Sequence, residues 1–192
     1  MLLSFDMNAH VSKVLNRDKT MARLVKQHGP APERTRAVFL ALVQAVVSQQ
    51  LSGAAASTIL GRIEQRVGLS PAKLSRVRPT TLHGRGLSKA KSECLRHIAK
   101  LALKREFDGL APLSDDEVFE RLTAIKGVGP WTAKVVMLGA LARPDVWPVG
   151  DAGLRRAARN LYGVELDGLE ELGERFRPYR SHASWYFWRS LG

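Results

Sequence analysis

Residues 114–144, SDDEVFERLTAIKGVGPWTAKVVMLGALARP, allow little other than two short helices joined by a glycine turn. Ser114 is followed three residues later by Glu117, a capping-box spacing that starts a helix through Val118, Phe119 and Leu122 to about Ala124. Gly127 and Gly129 bracket Val128 in a turn where a side chain would obstruct positive φ or close backbone approach, so the first helix stops there. Pro130 suits the first position of a second helix, because its φ is already helical and its missing N–H would have had no partner. That helix carries Trp131, Val135, Val136, Leu138 and Leu141 and ends before Pro144.

A hairpin of this kind points the N–H groups of a helix start outward, and such a start attracts phosphate through hydrogen bonds and the helix dipole. It could hold a nucleic-acid backbone without reading sequence. The glycines alone fit a tight connection between packed helices equally well. Two nucleotide-binding readings fail: a dinucleotide fingerprint needs a third glycine where Thr132 stands, and a phosphate loop needs Lys followed by Ser or Thr, whereas Lys134 precedes Val135.

Helical spacing dominates the rest of the chain and sustained period-two alternation is absent, so an all-α fold is expected. The spacing predicts helices over His10–Gln27, Glu33–Gln50, Gly53–Val67, Pro71–Arg76, Ser88–Lys104, Asp115–Ala124, Pro130–Leu141, Ala152–Leu161, Leu169–Phe176 and Ser181–Arg189. The most apolar run, AVFLALVQAVV from Ala37 to Val47, is too short to span a bilayer and reads as a central buried helix. No repeat, low-complexity tract or linker divides the chain, and no export signal opens it.

The 30 Lys and Arg exceed the 18 Asp and Glu, for a net charge of +12. Charge of this sign fits a nucleic acid, an anionic membrane surface or an acidic protein, and together with a composition able to fold it favours nucleic acid. The single cysteine, Cys94, excludes an internal disulfide and a cysteine-held iron–sulfur cluster. Leu87, Ile98 and Leu101 at helical spacing around it point to ordinary burial rather than a reactive thiol. His10, His28, His83, His97 and His182 are scattered without metal-binding spacing, so no catalytic zinc is expected. Nine of the 13 aromatic residues fall from Trp131 onward, which concentrates material for stacking in the half that holds the hairpin, although most must fill the core.

With the lone aspartate that follows in PVGDAGLRRA, the hairpin resembles the helix-hairpin-helix motif and aspartate loop of the base-excision DNA glycosylase superfamily (HhH-GPD). It is most similar to the 3-methyladenine DNA glycosylase II branch, which acts on alkylated purines. Three further blocks agree: VVSQQLSGAAA at Val46–Ala56, GLSKAKSECLRHIA at Gly86–Ala99 and RPYRSHASWYFW at Arg177–Trp188. The resemblance runs from about Arg36 to Trp188. It implies a two-lobed all-α fold with DNA in a cleft between lobes and one glycosylase domain over 1–192. The hairpin would occupy 115–142 and the aspartate loop 144–151, without the N-terminal β domain of longer relatives.

The resemblance assigns roles residue by residue. Asp151 is the catalytic carboxylate, stabilising an oxocarbenium-like sugar and orienting water; from the residues alone it is equally a helix N-cap, and both can hold. Trp131 and Trp188, with Val135, line the pocket for the flipped base, where electron-rich indoles suit a cationic methylated purine. Gly127, Val128, Gly129, Thr132, Lys126 and Lys134 contact the DNA backbone. Gln50, Leu51 and Ser52 form the turn that enters the minor groove, with Gln50 aligned to the inserting residue; without the resemblance SQQLS is a polar helix end. Carbonyls of Thr123, Ile125 and Val128 are implied to hold a structural Na or K ion, and no cofactor is required. Bifunctional relatives place a lysine where this chain has Trp131, so base release without strand cleavage is expected.

Basic sets at Lys126, Lys134, Arg155, Arg156 and Arg159 and at Lys89, Lys91, Lys100 and Lys104 would supply sequence-independent affinity. The expected partner is damaged double-stranded DNA, met by a monomer away from membranes. The expected location is intracellular, cytoplasmic and nucleoid-associated in a prokaryote. Two alternatives stay open: a glycosylase for hypoxanthine, uracil or an oxidised purine, and a noncatalytic module that uses the hairpin only as a phosphate clamp.

Overall fold

The computed structural model describes the backbone of residues 2–32 and 37–192 and, among them, the side chains from residue 9 onward. All regular structure in these residues is helical: α1 (Leu2–Leu15), α2 (Lys19–His28), α3 (Val38–Ser48), α4 (Gly53–Arg66), α5 (Pro71–Arg76), α6 (Pro79–His83), α7 (Lys89–Leu103), α8 (Asp115–Thr123), α9 (Pro130–Gly139), α10 (Ala152–Tyr162), α11 (Leu169–Glu174) and α12 (Arg180–Arg189), with one 3-10 turn at Leu166–Gly168. No described helix is long and apolar enough to cross a membrane.

Local chemistry sets the boundaries. The helix expected over His10–Gln27 is two helices, because the Asp18 carboxylate accepts the N–H groups of Thr20 and Met21, each at 2.9 Å, and starts α2 afresh. Of the helix expected over Glu33–Gln50, Glu33–Arg36 lie outside the described residues and the remainder stops at Ser48, where the backbone of Gln49 turns extended. Helix α6 was not expected from spacing, since five residues are too few to display a period; Pro79 at its first position starts it. The other helices keep their expected places to within one or two residues at each end.

The chain divides into two compact units, one comprising Thr35–Leu141 and the other Met1–Arg34 with Ala142–Gly192. In the first, α3 is the central helix: Phe39, Leu42, Val43, Val46 and Val47 are buried, and α4, α7 and α9 pack around it. Being apolar on nearly every side is what its sequence requires of a helix inside a bundle.

The second unit is held by aromatic packing. Trp147, Phe176, Tyr186 and Phe187 are buried with Leu154 and Ala157 of α10 and with Leu15, Met21 and Leu24 from the N-terminal helices. Trp147 meets Phe187 edge-on at 5.4 Å and donates its indole N–H to the Leu169 carbonyl at 2.9 Å. The Tyr162 hydroxyl, at the end of α10, donates to Asp18 at 2.8 Å and so ties α10 to the start of α2. Burial, and then the bond to Asp18, push its pKa well above the ordinary tyrosine range.

Gly173 is required here by space: a Cβ would lie 2.6 Å from the Trp147 indole nitrogen. Gly173→Ala is therefore expected to lower stability by about 1–3 kcal/mol through overpacking, read by thermal or urea unfolding. An unchanged midpoint would mean that Trp147 does not press on α11.

Candidate active site and nucleic-acid interface

In the unit of Thr35–Leu141, both expected helices of the hairpin are present and their caps are explicit. Ser114 and Glu117 exchange the two bonds of a capping box, which holds the Glu117 carboxyl below its usual range. Thr123 closes α8 by donating its hydroxyl back to the Phe119 carbonyl at 2.8 Å. Ile125 and Val128 turn inward and are buried, leaving Lys126 and Gly127 exposed between them.

Gly127 has φ +93°, and a Cβ there would stand 2.8 Å from the Cys94 sulfur. The turn thus rests directly on α7. Burial pushes the Cys94 thiol up to about 11, consistent with a packing role. Gly129 starts α9 without a side-chain cap, Pro130 follows at the first position, and the first backbone bond of the helix joins the Ala133 N–H to the Gly129 carbonyl at 3.0 Å. A helix start bearing no capping side chain is the arrangement in which backbone amides and dipole serve an external anion.

The hairpin residues have unequal dispositions. Trp131 and Val135, four apart on α9, are half-buried on one face of that helix, and Lys134 is half-buried beside them. Thr132 is 1% exposed and its hydroxyl accepts the Gln49 side-chain N–H at 2.9 Å, so only its backbone is left for a phosphate. The carbonyls of Thr123, Ile125 and Val128 belong to the end of α8 and the turn, and that of Ile125 accepts the Val128 N–H at 2.9 Å. A carbonyl oxygen has a second lone pair, and a neutral oxygen set of this kind suits a hard cation. Among the described residues, no three His, Cys, Asp or Glu side chains are grouped so as to hold a metal.

The segment after α3 is the second structured element of this unit. Gln50 is exposed at φ +56°, an uncommon backbone conformation for a residue with a Cβ. Leu51 is 39% exposed, a large apolar side chain left in solvent, and Ser52 caps α4 by accepting the Ala55 N–H at 3.3 Å. Lys91, expected among the phosphate-binding lysines, is engaged elsewhere: its ammonium donates to the carbonyl of Val47 at 2.9 Å and to that of Gln49, capping the end of α3. Partial burial lowers its pKa from the ordinary lysine value. Lys89, Lys100 and Lys104 are exposed.

In the other unit, the aspartate loop is fastened at both ends. Asp145 takes Arg180 Nε at 2.8 Å and Arg180 Nη2 at 3.0 Å, and Arg177 Nη1 at 2.7 Å. The Ser181 hydroxyl donates to the Arg143 carbonyl at 2.6 Å and accepts the Val146 N–H at 2.9 Å, so the start of α12 holds the loop from Arg143 to Trp147. This gives the block RPYRSHASW a structural purpose.

At the far end of the loop, Asp151 caps α10: its Oδ1 accepts the Leu154 N–H at 2.7 Å. The same oxygen accepts the indole N–H of Trp188 at 2.8 Å. Two residues singled out in the sequence are thereby joined, through a bond that sequence reasoning did not foresee. Gly153 makes room for it, since a Cβ there would stand 3.0 Å from Asp151 Oδ1 and 3.2 Å from Trp188 Cδ1. Arg155 and Arg156 are exposed on α10 and border a depression of about 370 Å³. Arg159 is instead paired with Glu165 through two contacts of 2.6 and 2.7 Å. Chemically, the unit presents an oriented carboxylate beside an indole, next to a basic helix.

Comparisons with known proteins agree with this geometry. Residues 43–178 match the family model of HhH-GPD superfamily base excision DNA repair proteins. The chain is 29% identical to the alkylbase DNA glycosidase-like protein mag2 of Schizosaccharomyces pombe over 94% of its own length and 90% of that protein's. Among solved structures, it is similar to the 3-methyladenine DNA glycosylase Mag1 of S. pombe in complex with abasic DNA. The TM-score is 0.82 at 28% identity, covering 94% of this chain and 96% of that one. It is also similar to a DNA-3-methyladenine glycosidase of Bacillus halodurans, with a TM-score of 0.73 and 37% identity over 93% and 87% of the two chains.

Proposed function

The chain belongs to the HhH-GPD superfamily of base excision DNA repair proteins, and we propose that within it this protein is a monofunctional DNA N-glycosylase, acting inside the cell. Its substrates are alkylated purines in duplex DNA, 3-methyladenine and with it 7-methylguanine. The observation that carries this reading is the Asp151 carboxylate, held at the start of α10 by the Leu154 N–H and the Trp188 indole.

The glycosidic bond of a stacked nucleotide is out of reach, so the damaged nucleotide is first everted, with the Gln50–Ser52 turn entering the space it leaves. Backbone amides at Gly127, Gly129 and the first turn of α9, aided by Lys126 and Lys134, hold the phosphates. A Na or K ion on the carbonyls of Thr123, Ile125 and Val128 would add positive charge there. Trp131 and Trp188, with Val135, receive the base, and their faces favour a purine made cationic by methylation.

The bond between the sugar and the base nitrogen then breaks with its electron pair leaving on the base. The cationic purine departs neutral, and positive charge passes to the sugar. Asp151 stabilises that charge. Water adds to the sugar carbon and loses its proton to the carboxylate or to solvent, leaving an abasic site in an intact strand. With an indole at position 131, no amine at that point of the motif attacks the sugar.

A base-release assay over a lesion panel tests this reading. Release of 3-methyladenine and 7-methylguanine is expected, with strand breakage only after a separate alkali step and no borohydride-trapped enzyme–DNA adduct. Release confined to hypoxanthine, uracil or an oxidised purine would move the protein to another specificity, and duplex binding without release of any base would make it a phosphate clamp.

A further inference from the structure

The turn assigned to the minor groove is bolted to the hairpin assigned to the phosphates. Gln49, the neighbour of the exposed Gln50, sends its side chain back into the protein. There its amide nitrogen donates to the Gly127 carbonyl at 3.0 Å and to the Thr132 hydroxyl at 2.9 Å. From the other side Lys91 donates to the carbonyls of Val47 and Gln49. One residue thus spans from the intruding turn to both the glycine turn and the first turn of α9, while a half-buried cation fixes the backbone on which that residue sits.

Gln50 itself is held at φ +56°, a conformation that persists only where its surroundings impose it. Beside it the Lys91 ammonium bonds the Gln49 carbonyl, the Leu51 N–H closes a turn on the Ser48 carbonyl at 3.1 Å, and the Gln49 side chain is tied to Gly127 and Thr132. A loop inserted between base pairs must push against the stack without yielding, and a reaction force needs an anchor on the DNA itself. The hairpin, gripping phosphate, is that anchor.

Resting on the glycosylase reading above, we infer that Gln49 and Lys91 are positioning residues that couple the phosphate-gripping hairpin to the intruding Gln50–Ser52 turn, so that backbone binding is converted into eversion of the damaged nucleotide. Neither needs to touch the reacting atoms. Their contribution is confined to the step that opens the stack, which distinguishes them from residues that merely keep the unit folded.

The test uses the full chain with Gln49→Met or Lys91→Met, each close in shape to the residue it replaces but unable to make these bonds. Single-turnover release of one 7-methylguanine is measured in two duplexes, with the lesion opposite cytosine or opposite an abasic-site analogue. The second duplex has no pair to open, so eversion is already cheap. The ratio of release from the unpaired to the paired lesion is expected to rise about tenfold over the wild-type ratio, equivalent to about 1.4 kcal/mol placed on opening the pair. Affinity for undamaged duplex should stay within about twofold, since phosphate contacts carry it.

An unchanged ratio overturns the inference, whether release falls on both duplexes or on neither, because a structural defect scales both equally. The two variants keep the test open if one of them fails to fold. Wild-type chain that releases no base from either duplex overturns the glycosylase reading instead.

Discussion

Asp151→Asn is expected to reduce base release by roughly 100- to 10,000-fold while leaving duplex affinity and fold intact, the range over which a positioned acid–base group contributes to rate. The substitution is informative because of what it preserves. An asparagine side-chain oxygen caps a helix about as well as an aspartate, so it can still accept the Leu154 N–H and the Trp188 indole N–H that reach Asp151 Oδ1 at 2.7 and 2.8 Å. The unfolding free energy should therefore change by less than about 0.5 kcal/mol. Only the charge is removed. A variant that keeps full activity would reduce Asp151 to a cap, and one that loses stability and activity together would leave the two roles unseparated, a case that Asp151→Ser, which caps without either charge or amide, then decides.

Gly127→Ala is expected to be the most damaging single change in the hairpin, lowering stability by about 3 kcal/mol from two additive sources. One is backbone strain, since φ +93° lies where L side chains are rarely found. The other is collision with Cys94, whose sulfur would be 2.8 Å from the new Cβ. Shifting the turn off α7 also displaces the amides to which the proposed function assigns the phosphates, so duplex affinity should fall by at least about tenfold at fixed salt. A double variant with Cys94→Ala separates the sources: the collision disappears and the strain remains, so part of the loss should return beyond the sum of the single effects. If nothing returns, the close approach to α7 is not what makes glycine necessary at this position.

Much of this was legible in the sequence because its signals are local. Ser114 and Glu117 announce a helix start by their spacing alone, and Gly127, Gly129 and Pro130 announce a stop and a restart, since these depend on φ and on N–H groups within a few residues. The run in α3 announces a buried helix because it has no polar side to expose. The choice between roles for one residue type was not legible from the residues alone, without the family resemblance that singled out Trp188. Trp147 and Trp188 look alike in sequence, yet Gly173 and the Leu169 carbonyl bury the first while Gly153 lets the second lie against Asp151.

Lysines were equally opaque. Lys91 is spaced like its exposed neighbours, and only the tertiary approach of α7 to the end of α3 turns it into a cap. Gln49 carries no signal of its own beside Gln50, because a side chain whose partners lie 78 and 83 residues further along the chain leaves no periodic trace. Breaks and short helices form the remaining gap: Asp18 inside a helical pattern and the five residues of α6 are settled by a side-chain cap and by proline, below the length at which periodicity speaks.

The unit holding Asp151 is assembled from both ends of the polypeptide, with Leu15, Met21 and Leu24 in one core with Phe176, Tyr186 and Phe187. During synthesis, residues 35–141 emerge as an uninterrupted stretch and can collapse on their own, whereas the N-terminal helices must wait for partners made more than a hundred residues later. A ribosome therefore exposes the stretch that holds the helix hairpin well before the unit that holds Asp151 is complete, and a chain that stops near residue 141 carries the hairpin without the carboxylate.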